Sequence, residues 1–311
     1  MKSDIKRLAT KLLKGQNFDC LSVGVIDFKS SNYNCIENIL DNKLSKNGKN
    51  YFDLASLTKP LTLGSFCSQR PDIFSENKDW ELLLNHKAGL PAWGRLRRYS
   101  WKKQIMSYDV LSSITTYSDF SALRLMLEIE KSFDSKFENV LSKFWDKETL
   151  FWKNLSQTNI YPKTGHRNGT SLRGVVHDDN AFVINEFCTH AGLFSTVGGL
   201  CRTLINLDKQ FFLLEHMKKG FQKRKNGDRF VNGWDTVDIN DGKESLAGKG
   251  CSHFTFGHLG FTGTSIWVDI EKKIGFIILT NATRDFWYDR IRLNNLRKEI
   301  GRYIWSNITH L

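Results

Sequence analysis

The sequence predicts an α/β (α+β) protein in which a strand-bearing layer, built from both ends of the chain, is interrupted by a mostly helical insertion. Three observations predict it. Leu21-Ser22-Val23-Gly24-Val25-Ile26-Asp27-Phe28, near the start, is a mostly apolar run of strand length. Residues 264–269 and 273–280, near the end, are two more such runs joined by Ile270-Glu271-Lys272, the spacing of a hairpin. Between the two ends, residues 72–160 are rich in Trp, Lys and Leu and mainly helical in pattern.

Each element follows from its residues. Ile5, Leu8, Leu12 and Leu13 fall on one face of an amphipathic first helix. The polar stretch 34–50 reads as a hairpin and loop. Residues 56–68 read as a helix, because Lys59-Pro60 puts a proline in the first turn, where its missing N–H is tolerated. Residues 167–189 are less periodic and read as loop. Residues 200–217 read as one amphipathic helix. The closing helix, 290–304, is apolar at Ile291, Leu293, Leu296, Ile300 and Ile304.

Composition excludes several classes of function. With 311 residues, 40% hydrophobic and 25% charged, the chain can bury a sizeable core and is not disordered. Its longest apolar run, Ile274-Gly275-Phe276-Ile277-Ile278-Leu279, falls far short of the roughly 20 residues of a membrane-spanning helix. Lys+Arg 45 against Asp+Glu 33 leaves a net charge of +12, a balance that favours anionic partners. The charge is spread along the chain, however, and reads as a solvated surface. No zinc-finger spacing or aromatic RNA-binding motif accompanies it, so nucleic acid is not an expected partner. The 6 cysteines form no C-x-x-C pair, and neither a metal nor a redox cofactor is expected. Charges in the first helix interrupt any signal-peptide core, so a reducing cytoplasm is expected unless a leader has been removed.

The strongest chemical feature is Phe52-Asp53-Leu54-Ala55-Ser56-Leu57-Thr58-Lys59-Pro60. Positions i and i+3 share a helical face, so Lys59 reaches the Ser56 hydroxyl. A serine hydroxyl becomes a competent nucleophile when a neighbouring base takes its proton, and a desolvated lysine is one such base. The helix N-terminus adds positive potential where an oxyanion forms. There is no G-x-x-x-x-G-K-[ST] phosphate loop, no H-E-x-x-H and no G-x-S-x-G elbow.

That nine-residue phrase resembles the nucleophile motif of the serine β-lactamase and penicillin-binding-protein superfamily, in its class C β-lactamase-like branch with D-alanyl peptidases and esterases. Further segments agree in order. Residues 82–91 (LLLNHKAGLP), Tyr117-Ser118-Asp119, residues 176–181 (VHDDNA), residues 189–196 (THAGLFST) and residues 256–265 (FGHLGFTGTS) resemble successive family motifs. In the last, His258-Leu259-Gly260 stands where many relatives have Lys-Thr-Gly. Lys163-Thr164-Gly165 spells that motif literally, but its setting is wrong: 166–170 do not continue as a strand, whereas 257–269 do. The resemblance implies an antiparallel sheet flanked by N- and C-terminal helices, with 1–60 and 195–311 forming the α/β part and 61–194 the helical insertion.

It also implies an acyl-enzyme mechanism for cleaving an ester or amide. Ser56 is the nucleophile, Lys59 its proton acceptor and Tyr117 the proton shuttle. The N–H groups of Ser56 and Phe261 form an oxyanion hole, His258 and Gly260 line the pocket, and Asp119 positions the cluster. His86, His177 and His190 read as structural. Leu259 cannot donate the hydroxyl hydrogen bond that a substrate carboxylate receives in many relatives, and losing such a bond to a charged group costs roughly 1.5–3 kcal/mol. The expected substrate is therefore a small ester or a D-amino-acid peptide rather than a β-lactam, with anionic cell-wall fragments among the expected partners. The alternative is a non-catalytic binding or scaffold protein on the same fold.

Overall fold

The computed structural model describes residues 2–37, 49–225, 227–237, 245–285 and 290–308. Its strands, in chain order, are β1 (Leu21–Asp27), β2 (Asn32–Ile36), β3 (Phe52–Asp53), β4 (Thr149–Phe151), β5 (His166–Arg167) and β6 (Thr170–Ser171). They continue with β7 (Leu193–Ser195), β8 (Phe230–Val231), β9 (Trp234–Thr236), β10 (Thr255–Leu259), β11 (Ser265–Asp269) and β12 (Ile274–Thr280). Seven of them make one antiparallel sheet in the order β2-β1-β12-β11-β10-β9-β8. The N-terminal β1 pairs along its whole length with the C-terminal β12, from Leu21 opposite Thr280 to Asp27 opposite Ile274. The sheet is thus closed by the two ends of the chain, as the α+β reading predicts.

Period-two alternation sorts the strand side chains into two cores. Leu21, Val23, Val25, Trp267, Phe276 and Ile278 face one side, where they pack with Ile5, Leu293, Leu296, Ile300 and Ile304 of the terminal helices Lys2–Leu12 and Ile291–Ser306. Ile26, Ile266, Val268, Ile277 and Leu279 face the other, against Val197, Leu200 and Leu204 of helix Val197–Phe211 and the helical insertion. Because both faces are covered, β12 is buried at every position. Helix Val197–Phe211 sits so close to β1 that a side chain at Gly24 would place its Cβ 2.6 Å from Cys201 Sγ.

The helical insertion includes Lys78–Leu84, Trp101–Met106 and the longer Asp119–Phe133, buried along Phe120, Leu123, Leu127 and neighbours. Three expectations need correction. Residues 167–189 are not all loop: helix Asp179–Ile184 lies within them, started by Asp178, whose carboxylate accepts the Ala181 N–H at 2.7 Å. The stretch 166–170 does carry strand, since β5 and β6 form a two-residue hairpin. Residues 200–217 are two helices, not one. Phe212 takes a left-handed conformation (φ 53°) between Val197–Phe211 and Leu213–Lys223, and the Asp208 carboxylate accepts the Leu214 N–H at the start of the second. Residues 38–48 of the expected polar loop lie outside the described residues. Among the described residues, no helix is long and apolar enough to cross a membrane, and no cluster of three or more His, Cys, Asp or Glu is placed to hold a metal ion.

Substituting Gly24 by Ala tests the tight fit of helix on sheet. The added methyl must displace Cys201 or the helix, so Gly24→Ala is expected to destabilise by about 1–3 kcal/mol, the range for overpacked cores. Equilibrium urea unfolding measures it.

Candidate active site

Ser56 lies in a short 3₁₀ turn, Ala55–Leu57, that follows β3 directly. The turn is forced by its neighbours. Asp53 is buried and its carboxylate accepts the Ala55 N–H at 2.8 Å and the His177 N–H at 2.7 Å. Ala55 is held at φ 47°, a conformation that costs an L-residue energy and persists only where its surroundings impose it. Burial pushes the Asp53 carboxyl up to about 7 against the pull of those two amides. Beyond Lys59, Pro60 contributes no N–H, and Pro60–Gly64 runs as a π-type turn before the helix resumes at Ser65–Gln69.

Lys59 is 3% exposed and its ammonium has three acceptors: Ser56 Oγ at 3.1 Å, the His190 carbonyl at 3.1 Å and Asp119 Oδ1 at 2.6 Å. It also lies 4.9 Å from the Tyr117 ring centroid. Burial works to lower its pKa, but the Asp119 carboxylate, and then Tyr117, outweigh burial and raise it above the ordinary lysine range. In the resting site Lys59 is therefore a cation donating to Ser56, and this works against the role of proton acceptor expected for it. Tyr117 is half-buried, its hydroxyl fully so and without a well-aligned hydrogen-bond partner. Burial raises its pKa, with Lys59 opposing.

The segment 82–91 exists to hold the second motif. The His86 carbonyl accepts the Thr116 N–H at 2.8 Å, and His86 Nδ1 accepts the Ser118 N–H at 3.2 Å. The Pro91 carbonyl accepts the Ser118 hydroxyl at 2.6 Å, and the Ala92 carbonyl accepts the Asp119 N–H at 2.9 Å. Ser118 caps helix Asp119–Phe133 by accepting the Ser121 N–H, so Asp119 sits in the first helical turn, where a negative charge is favoured. The His86 ring packs 4.8 Å from Tyr117, and burial drives its pKa well below the ordinary value.

The third motif comes from the end of β10 and is fastened to the nucleophile turn. The Thr262 hydroxyl donates to the Asp53 carbonyl at 2.6 Å, and the Thr264 hydroxyl to the Leu54 carbonyl at 3.1 Å. Gly260 permits this approach, since a Cβ there would lie 2.5 Å from the Leu54 carbonyl oxygen and 1.9 Å from Thr264 Oγ1. His258 is buried 5.7 Å from Tyr117, ring to ring, with Nδ1 2.9 Å from the Leu259 carbonyl. Burial and then Lys59 bring its pKa down to about 3, so the imidazole is neutral at pH 7. Phe261 is at the rim, 38% exposed, between the His177 ring at 5.6 Å and the Arg290 guanidinium at 4.6 Å. Lys163-Thr164-Gly165 lies outside the large sheet, and Lys163 is paired with Asp285 at 2.8 Å.

Of the residues singled out in the sequence, the structure brings Ser56, Tyr117, Asp119 and His258 together around the Lys59 ammonium, seats Gly260 against the Leu54 carbonyl beside the nucleophile turn, and places Phe261 next to Gly260, against His177 and Arg290. Two supports were not singled out. Asp53 is one; a lone acid three residues before the serine gave no sign of its turn-forming role. The other is Asp178, which pairs at 3.0 Å with His190, the histidine read in the sequence as structural, beneath the carbonyl that holds Lys59. Burial opposes the His190 charge, but Cys188 and Asp178 raise its pKa to about 10. His190 holds Asp178 well below the usual carboxylate range.

A family model described as Beta-lactamase matches residues 81–298. That is more than half of the chain, and the chain belongs to the beta-lactamase family. The match begins after Ser56 and Lys59, so the nucleophile turn joins the site by geometry alone. Among curated proteins, the chain is 33% identical over 120 residues to the "Putative D-alanyl-D-alanine carboxypeptidase" of Escherichia coli (strain K12), covering 36% of this chain and 27% of that protein. A protein of the same name from Escherichia coli O157:H7 is 34% identical over 116 residues, covering 35% of this chain and 26% of that protein. The match thus spans about a quarter of the length of these curated relatives. Among solved structures, a beta-lactamase/D-alanine carboxypeptidase from Pseudomonas syringae superposes with a TM-score of 0.62 at 14% identity, over 96% of this chain and 98% of that one. A beta-lactamase from Mycobacterium bovis does so at 0.55 and 16% identity, over 97% and 99%. These two likenesses show the fold.

The His190–Asp178 pair sets a pH window for stability. A histidine raised in the folded state stabilises fully below its unfolded value of about 6.5 and loses that contribution as pH rises through its folded value. Unfolding free energy is therefore expected to fall between pH 6.5 and about 10 through His190. Asp178→Asn, which strands the buried cation, is expected to cost about 3 kcal/mol at pH 7 and to flatten that slope. Denaturant titrations of both proteins across this range measure it.

Proposed function

We propose that this protein is a serine hydrolase that cleaves an ester or amide through an acyl-Ser56 intermediate. The observation that carries the reading is the contact between Lys59 Nζ and Ser56 Oγ at 3.1 Å inside a cleft that also holds Tyr117, Asp119 and the end of β10. Ser56 Oγ attacks the carbonyl carbon, and the carbonyl π-pair moves to oxygen. The amides of Ser56 and Phe261, at the two edges held together by the Thr262 and Thr264 hydroxyls, receive the oxyanion. Tyr117 carries the serine proton toward the leaving group. Water then cleaves the acyl-enzyme by the reverse sequence. The Lys59 ammonium stabilises the alkoxide character that develops on Ser56 Oγ.

The substrate we favour is a small ester or a D-amino-acid peptide. The names of the curated relatives support the peptide, and the third motif argues against an efficient β-lactamase, since Leu259 offers no hydroxyl and His258 no charge. A cation at the rim is Arg290, whose guanidinium donates to the Phe261 carbonyl at 3.1 Å and stacks on its ring. We assign it to the carboxylate end of an anionic substrate such as a cell-wall fragment. The reading that the protein only binds such fragments draws on the protonated state of Lys59.

A fluorophosphonate and a penicillin, each followed by intact-mass measurement, separate these readings. A single adduct, absent in Ser56→Ala, is the expected result. Labelling by the fluorophosphonate alone favours an esterase, and a lasting penicillin adduct favours a D-alanyl peptidase. No adduct with either reagent overturns catalysis in favour of binding.

A further inference from the structure

The cleft uses none of the 6 cysteines as a nucleophile, yet two of them meet elsewhere in the fold. Cys35 Sγ lies 3.9 Å from Cys201 Sγ, although the two residues are 166 apart in the chain. The sheet register brings them together. Cys35 stands on β2 directly opposite Gly24 of β1, and residues directly opposite in an antiparallel pair point to the same face. That face is the one covered by helix Val197–Phe211, because a Cβ at Gly24 would lie 2.6 Å from Cys201 Sγ and 3.0 Å from Val197 Cγ2. The missing side chain of Gly24 is therefore the space into which Cys201 reaches, and Cys35 borders that space from the neighbouring strand. Arg202, the next residue of the helix, donates to the Tyr33 hydroxyl at 2.6 Å and is itself held by the Asp146 carboxylate at 2.9 Å. Tyr33 shares the Cys35 face two residues back along β2. Two contacts between the same strand and the same helix thus hold the sulfurs in register. The thiols differ in exposure: Cys201 is fully buried, whereas Cys35 is partly exposed on the outermost strand of the sheet. A buried thiol by itself is an ordinary small core residue. A partly exposed thiol that faces a buried one has both an approach for a reagent and a partner to close on.

We infer that Cys35 and Cys201 are a reversible disulfide site that fastens the β2 edge of the sheet to helix Val197–Phe211. The inference goes beyond the hydrolase reading and does not depend on it. The oxidant is a small disulfide such as glutathione disulfide. Cys35, as its thiolate, attacks one sulfur of that reagent; the reagent's S–S bond breaks, and one glutathione leaves with the proton that Cys35 gave up. Cys201 Sγ then attacks Cys35 Sγ, the mixed disulfide breaks, and the second glutathione leaves with the Cys201 proton. Two protein thiols are oxidised and one glutathione disulfide is reduced to two glutathiones. Burial, and then the contact with Cys35, raise the Cys201 thiol well above its ordinary value. Cys35 therefore makes the first attack, and Cys201 gives up its proton only as the second bond forms. To reach a bond of about 2 Å, the sulfurs close by side-chain rotation into the space over Gly24. The closed bond puts the nucleophile turn, Lys59, Tyr117 and Asp119 inside one covalent loop from β2 to the helix, which restricts the unfolded chain and so favours the fold.

The test equilibrates the folded protein in glutathione buffers running from fully reduced to fully oxidised, traps free thiols with N-ethylmaleimide as the protein is unfolded, and reads intact mass and a peptide map. The oxidised protein is expected to carry a Cys35–Cys201 linkage, and return to reduced buffer is expected to restore both thiols. In Cys201→Ala, checked for fold by near-UV circular dichroism, Cys35 is expected to keep a bound glutathione, because nothing displaces it. Urea unfolding of the linked wild type is expected to move to a higher midpoint by roughly 1 M, the order of effect for closing so long a loop. Cys35→Ser is expected to unfold at the same midpoint in both buffers. Wild type that keeps both thiols free in the oxidised buffer, that accumulates glutathione on Cys35 without closing onto Cys201, or that links either cysteine elsewhere overturns the inference. So does a linked form whose midpoint is no higher than that of the reduced form. Should Cys201→Ala misfold, the wild-type map decides alone. Reaction at Ser56 enters none of these measurements, so failure here leaves the hydrolase reading standing.

Discussion

A buried ammonium requires an anion, and the pairing of Lys59 with Asp119 is the constraint around which this cleft is built. Without a partner, an ammonium at 3% exposure would shed its proton or drag water into the fold. Asp119 supplies the charge from the first turn of helix Asp119–Phe133, and the helix dipole favours a carboxylate there. The pair therefore ties the nucleophile turn, which follows β3, to the helical insertion. Its two ends are held by separate segments. Residues 86–92 clamp the backbone of Thr116, Ser118 and Asp119, and the His190 carbonyl, braced by the His190–Asp178 pair, completes the ammonium's coordination.

The third motif answers a different demand. The end of β10 has to approach the nucleophile turn closely enough for two threonine hydroxyls to reach the Asp53 and Leu54 carbonyls, and Gly260 makes that distance possible. With that edge fixed, a second cation next to Lys59 would be costly in a buried site. A neutral His258 avoids the repulsion and leaves a nitrogen lone pair where a lysine would place a charge. The same substitution removes an anchor for anionic substrate, which is why the choice between ester, peptide and β-lactam turns on the rim at Phe261 and Arg290 rather than on the motif itself.

Much of this was legible in the sequence, for physical reasons that differ by element. The spacing of Ser56 and Lys59 survives translation into structure because i and i+3 stay adjacent in both a 3₁₀ and an α turn, the two forms that residues 55–59 take. Strands β1, β11 and β12 were legible because each is rich in apolar residues and both faces of the sheet are covered, whereas β3 to β9, at two or three residues each, are too short to show a pattern. The break at Phe212 was hidden, since a single left-handed residue that is not glycine interrupts a helix without disturbing the apolar rhythm on either side. The helix Asp179–Ile184 is too short to show a period. Asp53 was hard to read because its importance lies in a contact distant in sequence, with the amide of His177; His190 was read as a structural histidine, but the hold of its carbonyl on the Lys59 ammonium, equally distant, was not. The effect of Asp119 on Lys59 belongs to the same class. Spacing placed the lysine beside the serine, but only the folded arrangement shows which protonation state its surroundings favour.

The measurement that tests this account most directly is the charge on Lys59. Nitrogen-15 and carbon-13 NMR of the Lys59 side chain, assigned through Lys59→Arg and followed from pH 5 to 11 in the free protein, reports it without reference to any substrate. The account predicts an ammonium that stays protonated beyond pH 10 and whose titration moves to markedly lower pH in Asp119→Asn. A lysine that loses its proton near neutrality in the wild-type protein would contradict it, and would return the role of base to Lys59.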